Sequence, residues 1–300
     1  MISIIICSKH SDISPVLKEN IKNTIGINYE IIVIDNSINK HSIFSAYNMG
    51  FSQSKFPYLC FVHEDVFFCT ENWGKRLINH LRDIKCGIVG VAGGKLIAKV
   101  PAQWSNEKRY INVIQHRKDK KTPTLIKEPA DFQELRQSVI LLDGVFLSMR
   151  RDLFTKIKFD EYLTGFHGYD YDISIQSIVA GYNNYIIYDI LLEHYSEGYK
   201  DFRFYKNLIE IYKKWAERLP LFTKDISEEV LVKRKIIETR RLKRLVRRMA
   251  KTGFTTQDIV SNTMFFIDNL KKEGVKIEIK YVTLRIFFTR LFNSPRYLFK

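Results

Sequence analysis

The run from Phe56 to Val66 is apolar until its end, where it delivers His63, Glu64 and Asp65 in succession. A buried strand gains nothing in packing from finishing on adjacent carboxylates. Open α/β sheets bind ligands outside the carboxyl ends of their strands. A divalent cation carrying a diphosphate would give these side chains a use there. Side chains alternate along a strand, so His63 and Asp65 share one side and Glu64 turns away, toward a salt bridge. Asp65 is the expected metal ligand. His63 suits Mn²⁺ better than Mg²⁺. It has two other readings: a hydrogen-bond partner of a sugar hydroxyl or phosphate, and a strand-end histidine whose ring is satisfied within the protein.

The elements that must hold these residues alternate in type. Ile2 to Cys7, Tyr29 to Ile34, Tyr58 to Val62 and Gly87 to Ala92 read as strands. Ser14 as N-cap with Pro15 at the first helical position opens a helix running to about Thr24. Ser42 to Ser54 and Asn72 to Ile84 read as two more helices. Such alternation predicts a mostly parallel, doubly wound sheet. Residues 95 to 137 are polar and broken by Pro101, Pro123 and Pro129; a long irregular segment inside a compact domain is usually functional or mobile. Strand-like pieces follow the polarity pattern at Tyr110 to Gln115, Ser138 to Leu142 and Gly144 to Met149. Ile173 to Ala180 is helical in pattern, with Gly181 as its stop, and an apolar segment from Tyr185 to Leu192 precedes His194.

Composition limits the classes. A chain of 300 residues with 45% hydrophobic content suits one large α/β domain, or a domain with an appendage. Cys7, Cys60, Cys69 and Cys86 form no CxxC pair, which argues for reduced thiols and against a zinc or disulfide framework. The apolar start is short and lacks a basic leader, so it reads as a first strand. No stretch reaches the roughly 18 uncharged apolar residues of a membrane span. These features predict a cytoplasmic protein, or one peripheral on the inner face of the cell membrane. Residues 226 to 300 hold 18 Lys/Arg against 7 Asp/Glu, most of the whole-chain +15. That asymmetry marks a separate C-terminal unit with its own partner.

Over residues 2 to 200 the chain resembles the family 2 glycosyltransferases, nucleotide-sugar enzymes of the GT-A fold. The resemblance rests on several motifs in order. Ser8, after the first strand, and Asp35-Asn36-Ser37, closing the Tyr29 to Ile34 strand, are similar to the family's nucleotide-binding strand ends. Ala46-Tyr-Asn-Met-Gly50 is similar to an Ala-Arg-Asn-x-Gly element, with Tyr47 where Arg is common. His63-Glu64-Asp65 stands at the Asp-x-Asp signature, with His63 in place of the first Asp. Phe159-Asp-Glu161, Gly168-Tyr-Asp-Tyr-Asp172, Ala180-Gly-Tyr182 and His194 follow the later motifs, with Tyr169 where Glu is expected.

The resemblance implies an inverting transfer of a sugar from a nucleoside diphosphate donor, with UDP favoured. The hydroxyl acceptor would be a glycan or a lipid-linked molecule in cell-surface polysaccharide synthesis. It implies nucleotide contacts from Ser8, Asp35, Asn36, Asn48 and Gly50, and a Mn²⁺ or Mg²⁺ ion held by Asp65, His63 and His194. Asp170 is the expected catalytic base, with Asp172 the alternative; both also sit where acids stabilise a helix start. Asp35 has the competing reading of an Asx turn, and His194 that of a structural histidine. Asp143, Gly144, Trp104 and Tyr169 are expected near the donor or acceptor sugar, with Tyr162, Phe166 and His167 as further stacking faces. The expected organisation is a GT-A domain over residues 1–222, with a nucleotide half to 95 and an acceptor half from 96, followed by a basic helical extension over 223–300.

Within that extension, Val232, Ile236, Leu242, Val246 and Met249 recur at roughly helical spacing from Glu228 to Lys251, among ten Lys/Arg. Tyr281, Leu284, Phe287, Phe288 and Leu291 form another aromatic-rich candidate. Basic amphipathic segments of this kind point to an anionic membrane surface, approached through residues 228–292; the alternative is packing on the rest of the protein. Two rival classes stay open: a glycosyltransferase-like binding module without activity, and a nucleic-acid-binding protein acting through its basic C-terminus. The acidic strand ends argue against nucleic acid.

Overall fold

The computed structural model describes residues 1–104, 109–117, 122–130, 134–196 and 198–275. Strand β1 (Ile2–Ser8) is buried throughout from Ile2 to Ile6. Its two faces are therefore both covered, as an unbroken apolar run requires. α1 (Pro15–Thr24) starts as the sequence predicts, with Ser14 Oγ accepting from the Leu17 N–H. It leads to β2 (Tyr29–Asp35), and α2 (Ile43–Gln53), capped by Ser42, leads to β3 (Tyr58–Val62). β2 and β3 flank β1 and run parallel to it.

After β4 (Val66–Phe68) comes α3 (Trp73–Leu81), shorter than the expected 72–84. The Arg150 guanidinium donates to the carbonyl oxygens of Leu81, Asp83, Ile84 and Cys86, which takes up the acceptors left at that helix end. The chain continues through β5 (Cys86–Gly90), β6 (Ala92–Gly94), β7 (Leu96–Ile97), β8 (Arg109–Gln115), β9 (Thr124–Glu128), β10 (Arg136–Val139), β11 (Leu141–Leu142) and β12 (Phe146–Arg150). α4 (Arg151–Phe154), α5 (Tyr169–Val179), β13 (Asn183–Ile187) and β14 (Leu192–His194) follow.

The main sheet has the order β10-β13-β5-β12-β3-β1-β2. Five of its seven strands run one way. β12 lies antiparallel between β3 and β5, and β10 is antiparallel at the edge. The sheet is thus mostly parallel, as the alternation predicts, with two reversed strands that the alternation does not predict. A further sheet, ordered β11-β6-β8-β14-β4 with β9 beside β8, takes β8 and β9 from the stretch between 95 and 137. That stretch is therefore less irregular than its composition suggests.

The chain forms two compact units, residues 1–96 with 104–198, and residues 97–103 with those from 199 onward. The sequence-based boundary after 222 lies later than this division. The latter unit contains α6 (Phe202–Lys214), β15 (Leu221–Phe222), α7 (Glu228–Thr252) and α8 (Thr256–Lys272). Leu242, Leu245, Val246 and Met249 of α7 are buried, as are Leu208, Ile211 and Tyr212 of α6 and Ile259, Phe266 and Leu270 of α8. The apolar face expected to meet a membrane is therefore already covered within this unit, apart from exposed Val232 and Ile236. Glu238, also buried, accepts from the N–H groups of Lys99 and Val100 and ties the 97–103 segment to α7. Gly253, at φ +97°, ends α7 in the left-handed conformation, and Thr255 with Asp258 forms the capping box of α8. The Tyr281–Leu291 candidate lies outside the described residues. No helix among the described residues is long and apolar enough to cross a membrane.

Candidate active site

Strand register assembles the site in the first unit. β1, β2 and β3 end side by side, with Ser8 opposite Asp35. β4 begins at Val66, directly after Asp65, and pairs antiparallel with β14 so that Val66 faces His194. That pairing carries His194 to Asp65 across more than 120 residues of chain. The result is one cluster: His63 Nδ1 is 3.8 Å and His194 Nε2 3.7 Å from Asp65 Oδ1, and one ligand atom from each of the three lies within 4.8 Å of the others. All three are partly buried. Burial first, and His194 next, hold His63 below the usual imidazole range, which favours its neutral, ligating form.

Hydrogen bonds orient both rings. His63 Nε2 is 2.7 Å from the Tyr169 hydroxyl, which donates to the Gly144 carbonyl oxygen at 3.0 Å. His194 Nδ1 is 3.1 Å from Gln115 Oε1, and β8–β14 register places Gln115 beside His194. The donor set, two imidazoles and a carboxylate with hydrogen-bonded outer partners, fits a divalent transition metal.

Glu64 takes no part in this cluster. It accepts from Ser8 Oγ at 2.5 Å and from the Lys9 N–H at 3.2 Å, where the sequence suggests a salt bridge. Ser8, buried, also accepts from the His10 N–H, so its hydroxyl fixes the end of β1. A cavity of about 480 Å³ opens beside these residues, lined among others by Lys9, Asn36, Ser37, His63, Asp65 and Phe166. That volume lies in the range of small-molecule sites. Asn36 closes the 36–41 loop through both its amide atoms on the His41 backbone. Asp35 is exposed and accepts from the Ser37 N–H in an Asx turn, which holds its carboxyl below the ordinary range.

Asn48 binds the Phe159 backbone and Glu161, and a side chain at Gly50 would collide with Ile5, so both serve the packing of α2. Neither lines the cavity.

Across Tyr169 lies another cluster. β12 pairs Phe146 with Val62, and the His63 N–H donates to the Val145 carbonyl, which sets Asp143 and Gly144 beside the metal-competent strand end. Asp143 accepts from Trp104 Nε1 at 3.1 Å and from the Val145 N–H at 3.1 Å, so its carboxylate is fixed. α5 begins at Tyr169 after Gly168, whose φ of +89° is the left-handed turn that aims the helix start here. Asp170, partly buried, has its carboxyl pushed up to about 7 by desolvation first and by the Asp143 charge next. A carboxylate with that value suits general-base work near neutrality. Asp172 is buried and accepts from Gln176 Nε2, one turn further along α5, at 2.7 Å.

The expected sugar-stacking aromatics separate. Tyr169 is buried and packed edge-on against Phe44 and Tyr47, Tyr162 is almost wholly exposed, and Phe166 and His167 line the cavity. Tyr47 is fully buried, yet its hydroxyl has no hydrogen-bond partner among the described residues. Sequence reasoning misses Gln115, and no motif points to it; only the register with His194 does.

This fold and this pair of clusters define a GT-A type of α/β protein. The chain belongs to the family described as "Glycosyltransferase like family", whose sequence profile matches residues 3–197. Among solved structures, the mannosyltransferase PcManGT from Pyrobaculum calidifontis, in complex with GDP-Man and Mn²⁺, shares the fold. Its TM-score is 0.50 at 11% identity, over 98% of this chain and 87% of that one. GalNAc-T7 with UDP, GalNAc and Mn²⁺ aligns with a TM-score of 0.49 at 14% identity, over 72% of this chain and 50% of that one. S. aureus TarS aligns at 0.47 and 12%, over 86% of this chain and 44% of that one. The chain thus spans about half the length of the latter two. Among curated proteins, none matches the sequence.

Proposed function

We propose that the protein is an inverting glycosyltransferase that moves a sugar from a nucleoside diphosphate donor to a hydroxyl acceptor. The observation that carries this reading is a cation-competent cluster at the strand ends, whose His63 and Asp65 line the cavity, together with a carboxyl raised to about 7 in the first turn of α5, next to the cavity-lining Tyr169. Asn36, Ser37, Lys9 and Phe166 line the cavity, and of these Asn36 and Ser37 suit a base or ribose. His63, Asp65 and His194 would hold a divalent cation, Mn²⁺ before Mg²⁺. When bound, it stabilises the negative charge that develops on the departing diphosphate. GDP-Man and Mn²⁺ in the PcManGT structure support this use of the fold.

Asp170 takes the proton of the acceptor hydroxyl as that oxygen bonds to the anomeric carbon. The bond from that carbon to the diphosphate oxygen breaks in the same displacement, which inverts the centre. Burial first, and next the Asp143 carboxylate fixed by Trp104 and the Val145 N–H, raise the Asp170 carboxyl to about 7. Asp172 is not needed for this step.

The acceptor is a glycan or lipid-linked molecule of cell-surface polysaccharide synthesis. Arg240, Arg244, Arg247, Arg248 and Lys251 are spaced along α7 at helical intervals, with exposed Val232 and Ile236 further toward its start. That ridge suits an anionic membrane surface at about 1 kcal/mol per basic side chain. Sedimentation with anionic vesicles tests it, and preference for an RNA over vesicles would assign the ridge to nucleic acid.

A thermal-shift screen of UDP, GDP and dTDP, with and without Mn²⁺, tests the core reading. A nucleotide at about 100 times its dissociation constant adds about 2.7 kcal/mol of stability. The Mn²⁺-dependent part should vanish in Asp65→Ala. No shift with any of the three nucleotides would sink the transferase assignment.

A further inference from the structure

We infer that Tyr169 and Gln115 set the proton positions on the two site histidines, so that His63 offers Nδ1 and His194 offers Nε2 to one cation beside Asp65. The site thereby prefers a dication that accepts imidazole nitrogen over Mg²⁺. The inference deepens the transferase reading and rests on it for the use to which the cation is put.

A phenol has one hydrogen. Of the Tyr169 hydroxyl's two neighbours, the Gly144 carbonyl oxygen at 3.0 Å can only accept, whereas His63 Nε2 at 2.7 Å can donate, and we place the hydrogen toward the carbonyl so that both contacts are hydrogen bonds. The hydroxyl then accepts from His63 Nε2, which carries the imidazole hydrogen. In the neutral ring Nδ1 is then a bare lone pair, and it is this atom that lies 3.8 Å from Asp65 Oδ1.

Gln115 works the same way by a different route. Its amide nitrogen donates to the carbonyl oxygens of Ser196 at 2.8 Å, His116 at 2.9 Å and His194 at 3.2 Å. An amide turned the other way would set its oxygen against three carbonyls. Oε1 is thereby held toward His194 Nδ1 at 3.1 Å, and an amide oxygen only accepts, so Nδ1 bears the hydrogen. His194 Nε2 keeps its lone pair, 3.7 Å from the same Asp65 oxygen. Ser196 Oγ, 3.3 Å from Nε2, donates to that lone pair, and a cation would take its place.

Two unrelated hydrogen-bond networks thus turn opposite nitrogens of two rings toward one carboxylate. Mg²⁺ holds oxygen ligands and water by preference, while imidazole nitrogen suits the later divalent metals, with affinity rising from Mn²⁺ to Co²⁺. Tyr169 and Gln115 are positioning residues: outer partners that fix ring orientation typically matter by about 10- to 100-fold in metal affinity. Two of the departures from the family's motifs, His63 and Tyr169, are hydrogen-bonded to one another.

Long-range ¹H–¹⁵N spectra of the metal-free wild-type protein report each tautomer directly. We expect His63 protonated on Nε2 and His194 on Nδ1; the opposite form of either ring overturns the inference. Calorimetric titration with Co²⁺, Mn²⁺ and Mg²⁺ supplies an independent readout, on wild type, Tyr169→Phe and Gln115→Met. Co²⁺ and Mn²⁺ should bind at least about tenfold more tightly than Mg²⁺, and Tyr169→Phe should weaken them about 10- to 100-fold while leaving Mg²⁺ little changed. Undiminished Mn²⁺ binding in Tyr169→Phe, or equal Mg²⁺ affinity in wild type, overturns this inference and leaves the transferase reading intact. Failure of wild type to bind Mn²⁺ even with UDP or GDP present removes both the inference and the proposed use of a metal.

Discussion

Tyr169 adjoins two groups: its hydroxyl contacts His63 of the His63, Asp65 and His194 cluster, and the next residue in the chain is Asp170, which feels the Asp143 charge. Burial acts on both groups, and in each it favours the uncharged form. At His63 the uncharged form is the useful one, because a neutral imidazole is a metal ligand and a charged one is not. At Asp170 the same force delays ionisation until about 7, which leaves the carboxyl able to take a proton near neutrality. One physical cause therefore acts on both the proposed cation site and the proposed base. A like-charged neighbour adds to burial in each case: His194 beside His63, where Asp65 and Asp143 oppose it, and Asp143 beside Asp170.

The sharpest way to break this division of labour is Asp170→Asn. It keeps the shape and removes the base, so turnover of a nucleotide-sugar donor should fall about 10²- to 10⁴-fold. Mn²⁺ and nucleotide affinities, measured calorimetrically, should stay unchanged. A matching loss of Mn²⁺ affinity would mean that the two groups are not separable.

The pH dependence offers a smaller but more specific reading. The proposed base must be ionised, so the rate should fall about tenfold for each pH unit below about 7. Stability should move the other way. Between the ordinary value of 3.8 and about 7, the folded chain holds a proton on Asp170 that the unfolded chain has released. Stability therefore falls as pH rises through that window and levels off above it. Asp170→Asn removes this slope, and its melting temperature should gain more on wild type at pH 8 than at pH 4. An equal difference at both values would show that Asp170 titrates normally.

Gly144 joins the two groups. An added Cβ would collide with the Tyr169 hydroxyl, so Gly144→Ala must displace the atom that orients His63. Overpacking of this kind costs about 1–3 kcal/mol. Denaturant titration should show that loss, together with weaker Mn²⁺ binding. Loss of stability with Mn²⁺ affinity retained would separate the packing role of Tyr169 from its hold on the imidazole.

What depends on local pattern is legible in the sequence. Ser14-Pro15 marks a helix start by capping chemistry alone, and the apolar runs of β1 and β3 mark buried strands that end on polar residues. His63, Asp65 and His194 stand out by residue type and motif order, and register brings them together. Strand direction is not legible, because the two-residue period of β12 is the same whichever way it runs. The sheet built on β8 is hidden for a similar reason: β8 draws its stability from β6, β9 and β14, and the half-exposed residues of β9 carry no strong alternation. Motif order points Asn48 and Gly50 toward the nucleotide, while their surroundings bind them to Phe159 and Ile5. Gln115 shows the limit most plainly, since its importance exists only in register with a residue 79 positions away.

Tyr47 gives the finest probe of the division around Tyr169. Its ring packs 5.6 Å from that of Tyr169, and its hydroxyl is buried beside the cavity with no hydrogen-bond partner among the described residues. A buried unsatisfied polar group typically costs about 1–3 kcal/mol, whereas an apolar atom in the same place costs nothing in hydrogen bonding. Tyr47→Phe should therefore raise the stability of the ligand-free protein by about 1 kcal/mol, as followed by urea denaturation. If the hydroxyl instead waits for a polar atom of the donor, the nucleotide-induced thermal shift should shrink in the same variant, so that stability rises as binding weakens. A variant less stable than wild type without ligand would mean that the hydroxyl already has a partner, and would remove Tyr47 from the donor's reach. Stability gained with the thermal shift preserved would leave it a packing residue, and the division would then run through Tyr169 alone.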